Sequence, residues 1–208
     1  MDARALDEVN LLRGAGLGAS SVVVDLGSGT GQLALKIAPL CRRVVAVDPS
    51  PVMVERLRRK IDEARIDNVE IAPAGFLTYD HTGEPADYVY SRYALHHLPD
   101  FWKVMALRRV RAMLRPGGLF RLWDVVYGFD VDEAHERIEE WCGPFGDDVE
   151  GDWARWEMEE HVREGHSTFT WLLEAVFDRT GFTIESADYS DAGFDAKYLL
   201  RATLHSGP

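Results

Sequence analysis

Asp25, Gly27, Gly29 and Gly31 stand at alternate positions in the stretch V-V-V-D-L-G-S-G-T-G-Q-L, Val22 to Leu33. Glycines at this spacing let the backbone turn tightly and let a ligand approach with no Cβ in the way. A helix behind such a turn offers unpaired N–H groups and the positive end of its dipole. The pattern is that of a turn holding a nucleotide-like ligand. A dinucleotide fingerprint reads G-x-G-x-x-G and rests a pyrophosphate on the helix N-terminus. Here the spacing is G-x-G-x-G, with Asp25 just before it. That carboxylate would repel a pyrophosphate and suits a ligand with a cationic group. A second acid, Asp48, follows roughly 20 residues past the turn, where a doubly wound fold places a carboxylate for a ribose diol. Its bland alternative is to cap the next helix in D-P-S-P.

The elements that must position these residues are legible in the apolar patterning. A helix is expected over Asp2–Arg13, then a glycine-rich break over Gly14–Ser20 and a buried strand to Leu26. After the glycine turn a helix should run to about Ala38, closed by Pro39. R-V-V-A-V, Arg43–Val47, reads as a second strand, and Pro51 to about Ala64 as an amphipathic helix with Val54, Leu57 and Ile61 inward. Asn68–Ala72 reads as a third strand and Y-V-Y-S as a fourth, led in by Pro85, Ala86 and Asp87. A helix over Phe101–Leu114, a turn at R-P-G-G and a fifth strand over Leu119–Val126 follow. The last helix, about Phe169–Arg179, takes Ser167 or Thr168 as N-cap. Phe182–Tyr189 and Lys197–Leu204 then form an antiparallel hairpin at the sheet edge.

The Asp-x-Gly-x-Gly-x-Gly run after a hydrophobic strand resembles motif I of the class I S-adenosylmethionine-dependent methyltransferases, of the type that acts on small molecules. L-H-H-L-P-D, the helix after it and R-P-G-G resemble the later motifs of the same family. The resemblance is strongest over Val22–Val126. It implies an α/β, Rossmann-like doubly wound sheet of about seven strands with the last strand antiparallel. Residues 1–208 would form a single domain, with 129–165 inserted as a helical cap after strand five. The implied cofactor is S-adenosylmethionine, leaving S-adenosylhomocysteine as product. The implied activity is methyl transfer to a small-molecule O, N or C nucleophile. A non-catalytic S-adenosylmethionine-binding protein, a sensor or partner subunit, is the alternative.

On this resemblance Asp25, Gly27, Ser28, Gly29, Gly31 and Asp48 bind the cofactor, and Pro49 and Met53 offer the adenine apolar surface. Met53 could equally be core. Where the family often has an acid for the adenine amino group, this chain has Gly75. Backbone groups near Gly75 and Phe76 would then read the adenine, with Asp80 a lesser substitute. Ligands of doubly wound sheets sit outside the strand ends at the switch point, so Ser91, Arg92 and Tyr93 should lie near the sulfonium. Tyr93, His96 and His97 are the catalytic candidates. A histidine could deprotonate a nucleophile, but packing under the cofactor loop is its preferred role here.

The composition narrows the partners. A net charge of −12 over 208 residues opposes nucleic acid, which needs a basic surface. No apolar run is long enough for a membrane span and no signal-peptide pattern opens the chain. Cys41 and Cys142 form no metal or redox motif. A cytoplasmic protein, monomer or homodimer, is expected. Residues 129–165 hold fourteen acids against three arginines, together with Trp141, Trp153 and Trp156. Such a cap could recognise a cationic or aromatic substrate. Its blander reading is a solvated acidic face with tryptophans buried against the sheet. An exposed aromatic patch could also serve a dimer contact. His161 and His166 fall outside the H-E-x-x-H spacing, so no metal is expected. His161, Arg163 and His166 are left as candidates to line the pocket from above. Asp25 and the glycine spacing also oppose a nicotinamide-dependent oxidoreductase.

Overall fold

The computed structural model describes residues 3–143 and 149–203. Among them seven strands form one sheet: β1 (Val22–Leu26), β2 (Arg43–Val47), β3 (Val69–Ala72), β4 (Ala86–Arg92), β5 (Leu114–Val125), β6 (Phe182–Tyr189) and β7 (Asp195–Ala202). Their order is β3-β2-β1-β4-β5-β7-β6. β1 to β5 run parallel, and β7 is antiparallel to both β5 and β6. The chain reverses its direction of travel between β1 and β4, and this is the switch point where doubly wound sheets bind ligands. β1 lies between two strands and is buried at every residue, Asp25 included, which is why its sequence does not alternate between apolar and polar.

The helices are α1 (Ala3–Gly14), α2 (Ala34–Ile37), α3 (Pro51–Ala64), α4 (Asp100–Met113), α5 (Ala134–Cys142), α6 (Val149–Glu164) and α7 (Thr170–Arg179). Val54, Leu57 and Ile61 of α3 are buried as their spacing predicts. α2 is shorter than expected. It has four residues and gives way to a 3-10 turn over Ala38–Leu40. Gly31, at φ 76°, lies outside the helical region, and Pro39 cannot donate to continue the helix. The turn therefore backs onto one helical turn, with correspondingly little dipole.

Two other boundaries move. β5 begins before R-P-G-G rather than after it: its register with β4 jumps from Ala86↔Leu114 to Tyr88↔Leu119, so residues 115–118 bulge out. α7 has Phe169 at its N-cap with no side-chain cap bond, so neither Ser167 nor Thr168 caps it. Tyr127, just past β5, instead donates its N–H to Thr168 and accepts one from Thr170, both at 3.0 Å. A backbone splice replaces the cap.

Residues 129–165, expected as a cap, hold a 3-10 turn over Val131–Glu133 with α5 and α6. Within residues 129–165, Pro144 and Gly146 lie outside the described residues, as do Leu204 and the side chain of Trp153. Trp141 stacks on Phe194 of the β6–β7 loop at 4.3 Å, and Arg137 donates to the Ala192 carbonyl at 2.8 Å. Trp156, in contrast, is exposed rather than buried against the sheet. Every acid on α5 is exposed, in keeping with a solvated face. No helix among the described residues is long and apolar enough to cross a membrane.

One polar row crosses the core. Asp25, Tyr90 and Arg121 are register partners on β1, β4 and β5, and Glu8 of α1 closes the row with a bidentate pair to Arg121 at 2.7 Å. Both ends of that pair are buried. Removing one partner strands a charge in low dielectric. Glu8→Ala is expected to lose about 3–5 kcal/mol of unfolding free energy, whereas Glu8→Leu with Arg121→Met recovers most of it. Urea unfolding of the three proteins decides this, and a single substitution costing under about 1 kcal/mol would mean the pair is hydrated.

Candidate active site

The turn after β1 is held by the end of β2. Gly27 and Ser28 donate their N–H groups to the Val47 carbonyl at 2.8 and 3.0 Å. Gly29 donates to Asp48 Oδ2 at 2.8 Å, and Ser50 donates to Asp48 Oδ1 at 2.9 Å. The cap of α3 is the Ser50 hydroxyl, which accepts from Met53 N, so Asp48 is not that cap. Each of its oxygens keeps a further lone pair. All three glycines have positive φ, but they are needed for different reasons. A Cβ at Gly27 would come within 2.5 Å of Ala94 Cβ, and one at Gly31 within 2.3 Å of Leu57 Cδ1. At Gly29 a Cβ would meet nothing within 4 Å. Gly29 faces open space.

That space is a cleft of about 370 Å³ lined by Asp25, Gly27, Ser28, Gly29, Met53, Tyr90, Arg92 and Tyr93, among others. Asp25 forms its floor and is 2 % exposed. Burial pushes its carboxyl up to about 7; a hydrogen bond from the Ala34 backbone opposes the shift and the Asp48 charge adds to it. No ion pair reaches Asp25 among the described residues. The hydroxyls of Ser28 and Ser91 are buried without a hydrogen-bond partner there. A cleft with an unneutralised carboxyl, the idle Ser28 hydroxyl and a glycine rim fits a polar ligand that brings a positive charge.

The adenine end differs from expectation. Gly75 N–H donates to Thr78 Oγ1 at 2.9 Å, and its carbonyl accepts from Thr78 and Tyr79. Phe76 is buried in the core. The Gly75 backbone groups expected to read adenine are thus engaged in a tight turn, and the Phe76 ring packs in the core. Asp80 is paired with Arg109 at 2.6 Å. Pro49 lies beside Gly75, 3.9 Å from where its Cβ would be, so an apolar rim does form there.

Arg92, Tyr93 and the histidines separate into two groups. Tyr93 has a left-handed φ of 50°, a conformation that strains a non-glycine residue. Its N–H is fixed on the Trp123 carbonyl at 2.9 Å, and its ring stands 5.5 Å from Trp123. The Arg92 guanidinium lies 4.3 Å over the Trp123 ring, with Lys197 Nζ 4.4 Å from the same ring. His96 and His97 do not line the cleft. His96 is buried with Nδ1 2.5 Å from Asp124 Oδ1. Asp124 also accepts from the backbone N–H groups of Leu95, His96 and Val125. The His96 ring packs 4.1 Å from His97 and 5.1 Å from His161 of the cap, and its carbonyl accepts the His166 N–H. Burial pushes His97 and His161 below the usual imidazole range. His161 thus meets the strand ends through His96 rather than through the cleft.

Trp123 and Asp124 were not anticipated. The available signal was an acid at the C-terminal end of a buried strand, the same signal that marks Asp48 after β2.

Comparison with known proteins agrees with this geometry. Residues 23–118 match a methyltransferase domain family. An uncharacterized methyltransferase of Geobacillus kaustophilus is 30 % identical over 173 residues, 81 % of this chain and 72 % of the relative. Among solved structures, the YcgJ protein from Bacillus subtilis superposes with a TM-score of 0.69 at 17 % identity, covering 95 % of this chain and 98 % of its own. The N-methyltransferase NodS from Bradyrhizobium japonicum, crystallised with S-adenosylhomocysteine, gives 0.66 at 18 % identity, covering 96 % and 85 %. The chain belongs to the class I S-adenosylmethionine-dependent methyltransferases.

The glycines make a paired prediction. Gly29→Ala keeps the fold at a cost of about 1–2 kcal/mol for its left-handed φ but puts a methyl group into the cleft. It should weaken S-adenosylhomocysteine binding by at least about tenfold, or 1.4 kcal/mol. Gly31→Ala drives Leu57 from its place and should lower the melting temperature far more. Calorimetric titration with thermal unfolding separates the two, and unchanged binding by Gly29→Ala would mean that the ligand does not approach this glycine.

Proposed function

We propose that the protein moves a methyl group from S-adenosylmethionine to a small-molecule O, N or C nucleophile. The observation that carries the reading is Asp25, a buried carboxyl without a counter-charge at the floor of an open cleft. The ammonium of the cofactor's methionine end is the charge that would neutralise it. Asp48 has lone pairs left for the ribose hydroxyls, and Met53 gives the adenine an apolar wall. Ser28 would offer its hydroxyl to the polar chain between, and Arg92 would lie toward the reacting end.

When bound, S-adenosylmethionine supplies a methyl group already activated by a positive sulfur. What remains for the chain is to hold the acceptor in line and to keep water out. Tyr93 is the catalytic candidate that lines the cleft, and its strained backbone aims its ring there. We assign it to orienting the acceptor. His96 and His97 act as anchors: the dyad with Asp124 pins the 3-10 turn over Leu95–His97 to β5. Residues 129–165 serve as a cap that shapes the acceptor pocket within a single domain, and Cys41 and Cys142, both buried and outside any disulfide, accord with work in the cytoplasm.

Calorimetry with S-adenosylmethionine and S-adenosylhomocysteine tests the reading. Both should bind the wild type, and Asp48→Ala should lose most of the affinity. Binding without turnover across a panel of phenols, amines and acids would favour a sensor or partner subunit. Binding of neither ligand would end the enzyme reading.

The Asp25 carboxyl adds a pH dependence. Its free form titrates near 7, and an ammonium ligand favours the ionised form. Binding therefore expels a proton below pH 7, and affinity falls as pH drops from about 7 to 5, by up to about tenfold per unit. Asp25→Asn should bind more weakly and lose the slope. An equal slope in wild type and variant would place the titrating group elsewhere.

A further inference from the structure

The largest exposed apolar side chains include Phe101, Trp102 and Met105 on α4 and Trp171 and Leu172 on α7. Scattered exposed apolar residues need no explanation. Phe101 and Leu172 line one apolar groove of about 220 Å³ between the two helices, Phe101 packs edge-on against Trp102 at 5.0 Å, and Met105 stands four residues after Phe101 on the same face of α4. A contiguous patch of this kind marks an interface.

The order of residues along α4 points to its occupant. Around Met105, aromatic residues stand three and four positions before it, Trp102 and Phe101. Arginines stand three and four positions after it, Arg108 and Arg109. Residues at these offsets share the helix face of the central residue. Arg108 is exposed, and Arg109 is half-buried, held by Asp80 and the Tyr79 carbonyl. An isologous interface requires that if one residue meets a second, the second meets the first. Laying α4 antiparallel on its own copy, with the two-fold axis at Met105, satisfies that condition. Phe101 then faces the partner's Arg108, Trp102 faces the partner's Arg109, and each contact occurs twice. Guanidinium groups over aromatic rings attract, more so when desolvated. A different partner would need an acidic or aromatic surface to match; the second copy already carries the complement.

We propose that this protein forms a two-fold homodimer through antiparallel α4 helices, with Met105 against the partner's Met105. The surface lies apart from the cofactor cleft, so dimerisation stands or falls independently of the methyl-transfer reading.

Sedimentation velocity with a charge pair at the axis tests it. Wild type should sediment at twice the monomer mass of 23.4 kDa. Met105→Glu and Met105→Lys each place like charges across the axis and should be monomeric, with thermal unfolding near wild type because the site is exposed. An equimolar mixture of the two should restore a dimer, because residue 105 then meets an opposite charge. Oxidised Met105→Cys should also link to its own copy, while Val131→Cys, exposed on the cap, should not. A wild type that remains monomeric up to its solubility limit overturns the proposal. So do charge variants that dimerise like wild type, or a mixture that stays monomeric.

Discussion

The end of β2 governs the cleft beyond β1. The Val47 carbonyl and the Asp48 carboxylate together collect the N–H groups of Gly27, Ser28, Gly29 and Ser50. Two chain segments that border the cleft, the glycine turn and the start of α3, are thereby tied to one buried strand. A buried N–H left without an acceptor costs about 1–3 kcal/mol. Four such bonds at one point hold the glycines in positive-φ conformations that an isolated peptide would leave. The turn is preorganised before any ligand arrives, so less of the binding free energy is spent on ordering it.

β5 repeats the device. Asp124 at its end collects three backbone N–H groups and the His96 ring, and so fixes the segment that follows β4. Tyr93, between these two clamps, is forced into its left-handed conformation. From His96 a line of rings runs outward through His161 and Trp141 to Phe194. The strand ends are held by charged hydrogen bonds, and α5 and α6 by ring contacts together with the Arg137 bond to the Ala192 carbonyl.

Electrostatics divide along the same line. The excess negative charge of the chain lies in residues 129–165, and on α5 it is hydrated. Inside, the row Asp25–Tyr90–Arg121–Glu8 keeps one carboxyl unneutralised at the cleft. Burial first, then the Glu8 and Asp25 charges, push the Tyr90 hydroxyl far above its usual range. It stays neutral and leaves Asp25 as the cleft's acidic group.

Local chemistry alone determined much of this protein. β1, β2, α3 and β6 have the bounds that their apolar patterns and turn residues predict, because each is decided by neighbours within a few residues. Asp25, the three glycines and Asp48 stand out in the sequence because an acid ends each of two apolar strands and glycines alternate after the first, whereas what holds them, the end of β2, Ala94 and Leu57, comes from elsewhere in the chain. Other features needed the packed chain. The shortness of α2, the uncapped start of α7 and the occupied backbone of Gly75 depend on which distant donors and acceptors satisfy each N–H. Trp123 and Asp124 become site residues only when β5 is laid beside β4, because a period-2 pattern tells which face a residue takes but not what lies across it. The separation of Tyr93 from His96 and His97, adjacent in sequence, was likewise decided by Asp124. A buried carboxylate with four donors can form only where the fold brings them together.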